Sequence, residues 1–260
     1  IPFQLKGLKQ QVSLGGGSLL RIRQFEAIIL GVSDPINNPS LLFKPFDQVF
    51  NRENFSVDKF SYITELQNKN DKYFGASALS NAYVSFDNKL SEKWRLVWGA
   101  RAEYFELFLA TPVREKAPEV NSKKLDLLPS ANLTFSPNRN TNLRFAASRT
   151  VARQEFREVA PFGFFDFEEL ATTSGNANLR RSSILNLDLR YEVYAKPGEV
   201  LSAGVFYKNF TDPIELRLNS ASGPSRRIYE FQNAKSAYLY GVEFEFRKAL
   251  GFLDKTEESW

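Results

Sequence analysis

The chain has 260 residues, 34 of them Lys or Arg and 30 Asp or Glu, with no Cys and no His. Those two absences remove disulfides, thiolate metal sites and thiol nucleophiles, together with the usual general base and the commonest metal ligand. A scattered charge of +4 makes no nucleic-acid footprint, and only carboxylate chemistry stays open, as an acid pair for glycoside hydrolysis or an oxygen-ligand calcium site.

In chain order, Ile1-Pro2-Phe3 opens without a leader pattern, and the chain is expected to be a piece of a longer polypeptide. A first long strand is expected over residues 11–29. Its Gly15-Gly16-Gly17 run suits a bend or close approach, since no Gly-Lys-Ser/Thr follows to make a phosphate loop. A long connection covers residues 33–72, a short turn residues 89–93, a strand residues 94–109 and a second long connection residues 111–126. After a turn at 136–141, Leu143, Phe145 and Ala147 alternate with Asn142, Arg144, Ala146 and Ser148. A third long connection, 154–182, carries Phe162, Phe164, Phe165 and Phe167; its stretch 155–170 is expected to hold a short helical turn or an aromatic-capped loop, and in a barrel to sit above the strands and outside the membrane.

From Leu185 to Val193 every second residue is apolar, so Leu185, Leu187, Leu189, Tyr191 and Val193 share one face and Asn186, Asp188, Arg190 and Glu192 the other. A turn at 195–199 leads to expected strands over 199–218 and 229–250, separated by a modest connection at 219–227. The total is about eight strands. Alternation serves a soluble sandwich and a membrane barrel equally. Short turns alternating with long loops, and strands longer than the roughly 10 residues that cross a bilayer at a tilt, favour the barrel. No apolar run approaches the roughly 20 residues of a spanning helix. Trp94, Trp98, Tyr191 and Tyr194 are candidates for interfacial girdles.

The run Ser148-Arg149-Thr150-Val151-Ala152-Arg153-Gln154-Glu155-Phe156-Arg157-Glu158-Val159-Ala160-Pro161-Phe162 resembles a signature of TonB-dependent outer-membrane receptors. Three further matches follow in order: Gly175-Asn176-Ala177-Asn178-Leu179-Arg180; Phe206-Tyr207-Lys208-Asn209-Phe210 with Pro213-Ile214-Glu215; and Asn233-Ala234 leading into Tyr240-Gly241-Val242-Glu243-Phe244-Glu245. The resemblance covers most of residues 75–250 and is weaker over 33–72. Gln154 and Ala177 stand where such receptors often carry Pro, which is expected to loosen the local loop.

The resemblance implies an all-β fold: a portion of an antiparallel transmembrane β-barrel, about eight strands of a 22-stranded wall, with short periplasmic turns and long extracellular loops. Residues 1–260 would be partial barrel, with the plug domain and remaining strands outside this chain. It implies a receptor of the bacterial outer membrane, not an enzyme, that imports a scarce metal chelate, glycan or peptide with energy from TonB. TonB would be recruited through an N-terminal segment outside this chain. The partners it implies are TonB, outer-membrane lipid, the extracellular ligand and, as a further candidate, a surface lipoprotein; no cofactor and no nucleic acid are expected. The alternatives are a passive porin or structural barrel, and a soluble carbohydrate-active β-domain. Candidate extracellular ligand contacts are Phe162, Phe164, Phe165 and Phe167. Candidate lumen-facing charges are Arg101, Glu103, Arg144, Asp188, Arg190, Glu192, Glu243, Glu245 and Arg247.

Overall fold

The structure is a computed structural model that describes residues 1–5, 7–27, 30–33, 43–49, 51–54, 61–65, 72–111, 119–166, 168–219 and 227–249. Its main element is a nine-stranded sheet made of β1 (Pro2–Leu5), β2 (Leu8–Glu26), β5 (Lys72–Lys89), β6 (Trp94–Ala110), β7 (Val120–Asn138), β8 (Thr141–Ala152), β11 (Ser182–Lys196), β12 (Glu199–Thr211) and β15 (Ser236–Arg247), in that spatial order. Every neighbouring pair is antiparallel. A hairpin of β3 (Leu30–Ser33) and β4 (Ser61–Glu65) stands apart. A second sheet has the order β13 (Ile214–Leu218), β14 (Ile228–Asn233), β10 (Ala171–Ser174) and β9 (Gly163–Asp166), with β10 and β14 parallel. Among the described residues, no helix is long and apolar enough to cross a membrane.

Short turns gather at one end of the wall. Arg139 and Asn140 alone separate β7 from β8, and Pro197-Gly198, with Gly198 at φ +83°, separates β11 from β12. The expected connection at 111–126 ends earlier than its polarity suggests, because β7 begins at Val120 and places Lys123 to Asp126 within the strand. The Gly15-Gly16-Gly17 run lies inside β2. Its use is close approach: the Tyr83 ring lies across Gly15, where a Cβ would come within 2.5 Å of it.

Two expected long strands are each broken. Residues 199–218 divide into β12 and β13 at Asp212-Pro213, where Asp212 has φ +54° and Pro213 has no N–H to donate. Residues 229–250 divide into β14 and β15 at Ala234-Lys235, and Leu250 lies outside the described residues. Both breaks fold the chain out of the wall into the second sheet.

Register makes the two faces of the wall chemically distinct. Val12, Phe86, Trp98, Ala131, Ala147, Leu187, Tyr207 and Tyr240 are successive cross-strand partners, a single apolar row over eight strands. Leu96, Leu133, Phe145, Leu189, Val205 and Val242 form the next row. This face is open: Tyr240 is 72 % and Phe244 81 % exposed. A soluble sandwich would cover such a band; a membrane barrel turns it to lipid. The ion pairs on this face, Glu106 with Lys123 and Glu26 with Lys72, lie toward the long-loop end. Near the short turns, Trp94 stacks on Phe135 and Trp98 on Phe86, and the Trp98 Nε1–H donates to Asn88 Oδ1 at 2.8 Å. Amphipathic rings with a satisfied polar edge suit an interfacial girdle.

The buried core sits on the other face, at the long-loop end. Tyr73, Leu107 and Leu109 of the wall enclose Phe156, Val159 and Phe164 from the excursion between β8 and β11. Of the two forms expected for residues 155–170, the excursion holds the helical turn, Phe156–Val159. It leaves β8 yet packs on β5 and β6 and reaches β2, so it crosses the polar face instead of rising away from it. Burial of each large side chain contributes about 2 kcal/mol.

Candidate functional site

All nine charges expected on the lumen side lie on the face opposite the apolar rows, as alternate residues of β6, β8, β11 and β15. The structure joins most of them into two networks. In the first, Arg144 meets Glu192 at 2.8 Å, Arg190 meets Glu192 at 3.1 Å and Glu245 at 2.9 Å, and Arg247 meets Glu245 at 3.0 Å. Arg144 and Arg190 are direct cross-strand partners, a placement that repels until the buried Glu192 stands between them. The Tyr194 hydroxyl, within the irregularity near the end of β11, also donates to Glu192, at 3.2 Å. Asp188 and Glu243 make no ion pair among the described residues.

The second network lies beneath the excursion. Glu103 and Asp126, both buried, are cross-strand partners on β6 and β7. Arg153 bridges these like charges, at 2.7 Å to Glu103 and 3.1 Å to Asp126, with its guanidinium over the Phe105 ring. Arg101 adds a contact to Glu103 at 2.7 Å, and Arg181 closes on Asp126 from the returning end of the excursion. Arg153, Arg181 and Asp126 were not among the expected site residues. Asp126 did carry a signal, since Lys124, Asp126 and Leu128 alternate with Leu125 and Leu127.

The motif segments converge although they are far apart in sequence. The Asn233 side chain donates to the carbonyls of Arg180 and Asp212, both at 2.8 Å, and accepts the Arg180 N–H at 2.8 Å. Arg180 also reaches Asp212 at 2.7 Å. Asn176 donates from its side chain to Phe231 O at 3.1 Å and from its backbone to Glu158 O at 2.7 Å. Gln154, expected to loosen the loop, does the reverse: it is buried and donates to Leu179 O at 3.1 Å, which a Pro in its place would not do. Ala177 packs against the core.

Phe164 is 7 % exposed and packs edge-on against Phe25 at 5.4 Å, with Arg157 over its ring at 4.4 Å. Phe162 is half-buried against Phe164 and Tyr73. Both therefore hold the excursion to the wall, while Phe165 is exposed and Phe167 lies outside the described residues. Arg21 of β2 and Glu155 make a two-point contact at 2.7 and 3.3 Å. Among the described residues, no His, Cys, Asp or Glu cluster is arranged to hold a metal ion.

The cations of β2–β8 give this face its sign. On β2 it carries Lys9, Arg21 and Arg23; on β5 and β6, Lys89, Arg95 and Arg101; on β7 and β8, Lys124 and Arg144. The carboxylates of those strands on this face are Asp87, Glu103 and Asp126, and Glu92, Glu155 and Glu192 reach Lys89, Arg21 and Arg144 from outside them.

Several solved structures share this fold. The alcaligin outer-membrane receptor FauA of Bordetella pertussis is 15 % identical, with a TM-score of 0.55 over 94 % of this chain and 33 % of its own. A ferric enterobactin receptor mutant of Pseudomonas aeruginosa, in complex with enterobactin, is 15 % identical, with a TM-score of 0.54 over 94 % and 31 %. A double mutant of the Serratia marcescens hemophore receptor HasR, in complex with its hemophore HasA and heme, is 10 % identical, with a TM-score of 0.56 over 93 % and 40 %. The chain thus spans between about a third and two fifths of these structures. No curated protein matches it. The resemblance to TonB-dependent receptors holds at the level of fold. The profile of the outer membrane protein beta-barrel family matches residues 44–252, and the chain belongs to that family, as barrel wall in the bacterial outer membrane.

Proposed function

We propose that the chain is part of the wall of an active-import receptor that captures a scarce, large nutrient outside the cell and admits it with energy from TonB. The observation that carries this reading is the fit of 93–94 % of the chain to outer-membrane receptors for alcaligin, for ferric enterobactin and for a hemophore, the last in complex with its hemophore and heme. Strand length supports it: β2 and β7 have 19 residues each, so at about 3.3 Å per residue they run far past an apolar band of about 25 Å and leave an extended wall for capture. A plug domain and a TonB-recruiting segment elsewhere in the polypeptide complete the reading, with a surface lipoprotein as a further candidate partner. No covalent step is needed.

The test is uptake and growth on ferric chelates, heme, glycans and peptides as limiting sources, in cells with and without this gene and with and without TonB. Loss of growth on one source in both deletions is expected. Uptake that survives loss of TonB, with small solutes leaking through the same protein, would establish a passive pore instead.

A further inference from the structure

We propose that the polar face of β2–β8 is a track for anions, so that the nutrient admitted carries net negative charge. The inference rests on the import role proposed above and names the class of its ligand. These strands carry eight cations and three carboxylates on that face; Glu92, Glu155 and Glu192 reach Lys89, Arg21 and Arg144 from outside them, and Lys9, Arg23 and Lys124 have no ion pair among the described residues. The other described strands of the sheet do not share the excess. On β11, β12 and β15 the same face carries three cations, Arg190, Lys208 and Arg247, and four carboxylates, Asp188, Glu192, Glu243 and Glu245. Across the described sheet the cationic excess therefore falls on β2–β8 and not on β11–β15.

Exposure sharpens the sign. The Arg101 side chain is 44 % exposed while its partner Glu103 is 9 %, and Arg95 is 62 % exposed against 31 % for Asp87. Asp126, at 2 %, is sealed by Arg153 and Arg181. At Asp87, Glu103 and Asp126 the carboxylate lies deeper than its guanidinium partners, whereas Arg21 and Glu155 are about equally exposed, and with the unpaired Lys9, Arg23 and Lys124 the net field over this face is positive. Clefts lined by one sign of charge concentrate ions of the other, and Arg or Lys rings make anion-selective pores. The cations also span the height of the wall. Lys9 and Arg23 are 14 residues apart on β2, about 45 Å along the strand, and Arg101 lies between their levels on β6.

The test uses the whole polypeptide purified in detergent from the outer membranes of its own cell. The probes are a trisulfonated pyrene dye and a quaternary-ammonium dye of similar size, followed by fluorescence anisotropy at about 0.01 M and about 0.5 M salt, which shortens the Debye length from about 30 Å to under about 5 Å. The trisulfonate is expected to bind at low salt and weaken at least about tenfold at high salt, with no binding of the cationic dye. Arg23→Gln combined with Arg101→Gln is expected to weaken trisulfonate binding about three- to tenfold. Glu103 keeps Arg153 in that variant, and Arg23→Gln alone decides if the pair fails to assemble. Equal binding of both dyes, no trisulfonate binding, or unchanged affinity in the variants overturns the track. The readout is independent of TonB: anion binding without TonB-dependent uptake would sink the import role alone, and TonB-dependent uptake without anion binding would sink the track alone.

Discussion

Arg153 and Arg181, which flank the excursion where it leaves β8 and re-enters β11, both close on the buried carboxylate of Asp126. A loop closed by its own two ends on one wall residue has little freedom to swing. The β8–β11 connection is accordingly a fixed fitting inside the wall, with Phe156 and Val159 buried among wall residues.

Removing that carboxylate leaves the partly buried Arg181 without its partner and Arg153 with Glu103 alone. Asp126→Ala should destabilise the protein by about 3 kcal/mol, and Asp126→Asn, which keeps an acceptor, by less. Asp188→Asn, on the same face but outside both networks, serves as the control. Thermal loss of the compact electrophoretic form measures the difference; an Asp126→Ala protein as stable as its parent would show the clamp to be energetically idle.

Adjacent residues on β11 should respond oppositely to a change of polarity. Leu189 lies in the apolar row between Phe145 and Val205, so Leu189→Arg puts a charge toward lipid at a cost of about 2–4 kcal/mol near the midplane. Arg190→Leu is milder, because Glu192 keeps Arg144 and Glu245 keeps Arg247. Outer-membrane assembly should fall sharply for the first and modestly for the second, and equal yields would reverse the assignment of faces.

The period-two pattern made the wall legible: Leu185 to Val193 announces its two faces, and the parity of Arg190 and Glu192 sets theirs. The second sheet was not legible, because Ile214, Leu216 and Leu218 continue an alternation past Pro213, while the positive φ at Asp212 redirects the chain. Asp212-Pro213 was the available turn signal. The charge networks were half legible. Strand parity put Glu103 on the right face, but its bridge to Arg153 spans 50 positions, and nothing local to either residue encodes it. The same holds for Asn233 and Arg180, 53 positions apart.

Asn233 joins three backbone groups from two other segments with one side chain. Asn233→Ala removes all three bonds and should cost about 2–3 kcal/mol at roughly 1 kcal/mol each. The loss falls where the second sheet meets the wall. Protease applied to intact cells should then cut within 163–181 or 213–233, with the wall strands, β11 and β12 between them included, still protected; resistance equal to the parent would mean that packing alone holds the junction.

Glu158 supplies a pH dependence. Burial pushes its carboxyl pKa up, and the neighbouring Glu155 charge adds to the rise, although the Glu155 N–H bond at 2.8 Å opposes it. An acid with a raised folded pKa binds its proton more tightly when folded, so this contribution is greatest below the unfolded value and is lost as pH rises through the folded one. Glu158→Gln keeps an acceptor for Glu155 and carries no charge. Its excursion should resist proteolysis better than the parent at pH 7 and equally well at pH 4; the opposite order would mean that the ionised form is the stabilising one.

Gly175 tests whether the excursion and the wall fold as separable layers. A Cβ there would stand 2.2 Å from the Ala160 carbonyl oxygen and 2.9 Å from both the Ala160 nitrogen and the Arg157 oxygen, all backbone atoms. No rotamer change relieves such a contact, so Gly175→Ala must separate the segment from the helical turn, straining the Asn176 N–H bond to Glu158 O. Overpacking of this kind costs about 1–3 kcal/mol. At Gly204 on β12 the nearest atoms lie at 3.7–3.9 Å, and Gly204→Ala should be silent. The wall strands take no part in the Gly175 contact, so Gly175→Ala protein should still assemble and migrate as a compact barrel while its 155–180 region becomes open to protease. Failure to assemble would show instead that the wall forms only around a finished excursion, making the inward segment part of the folding core.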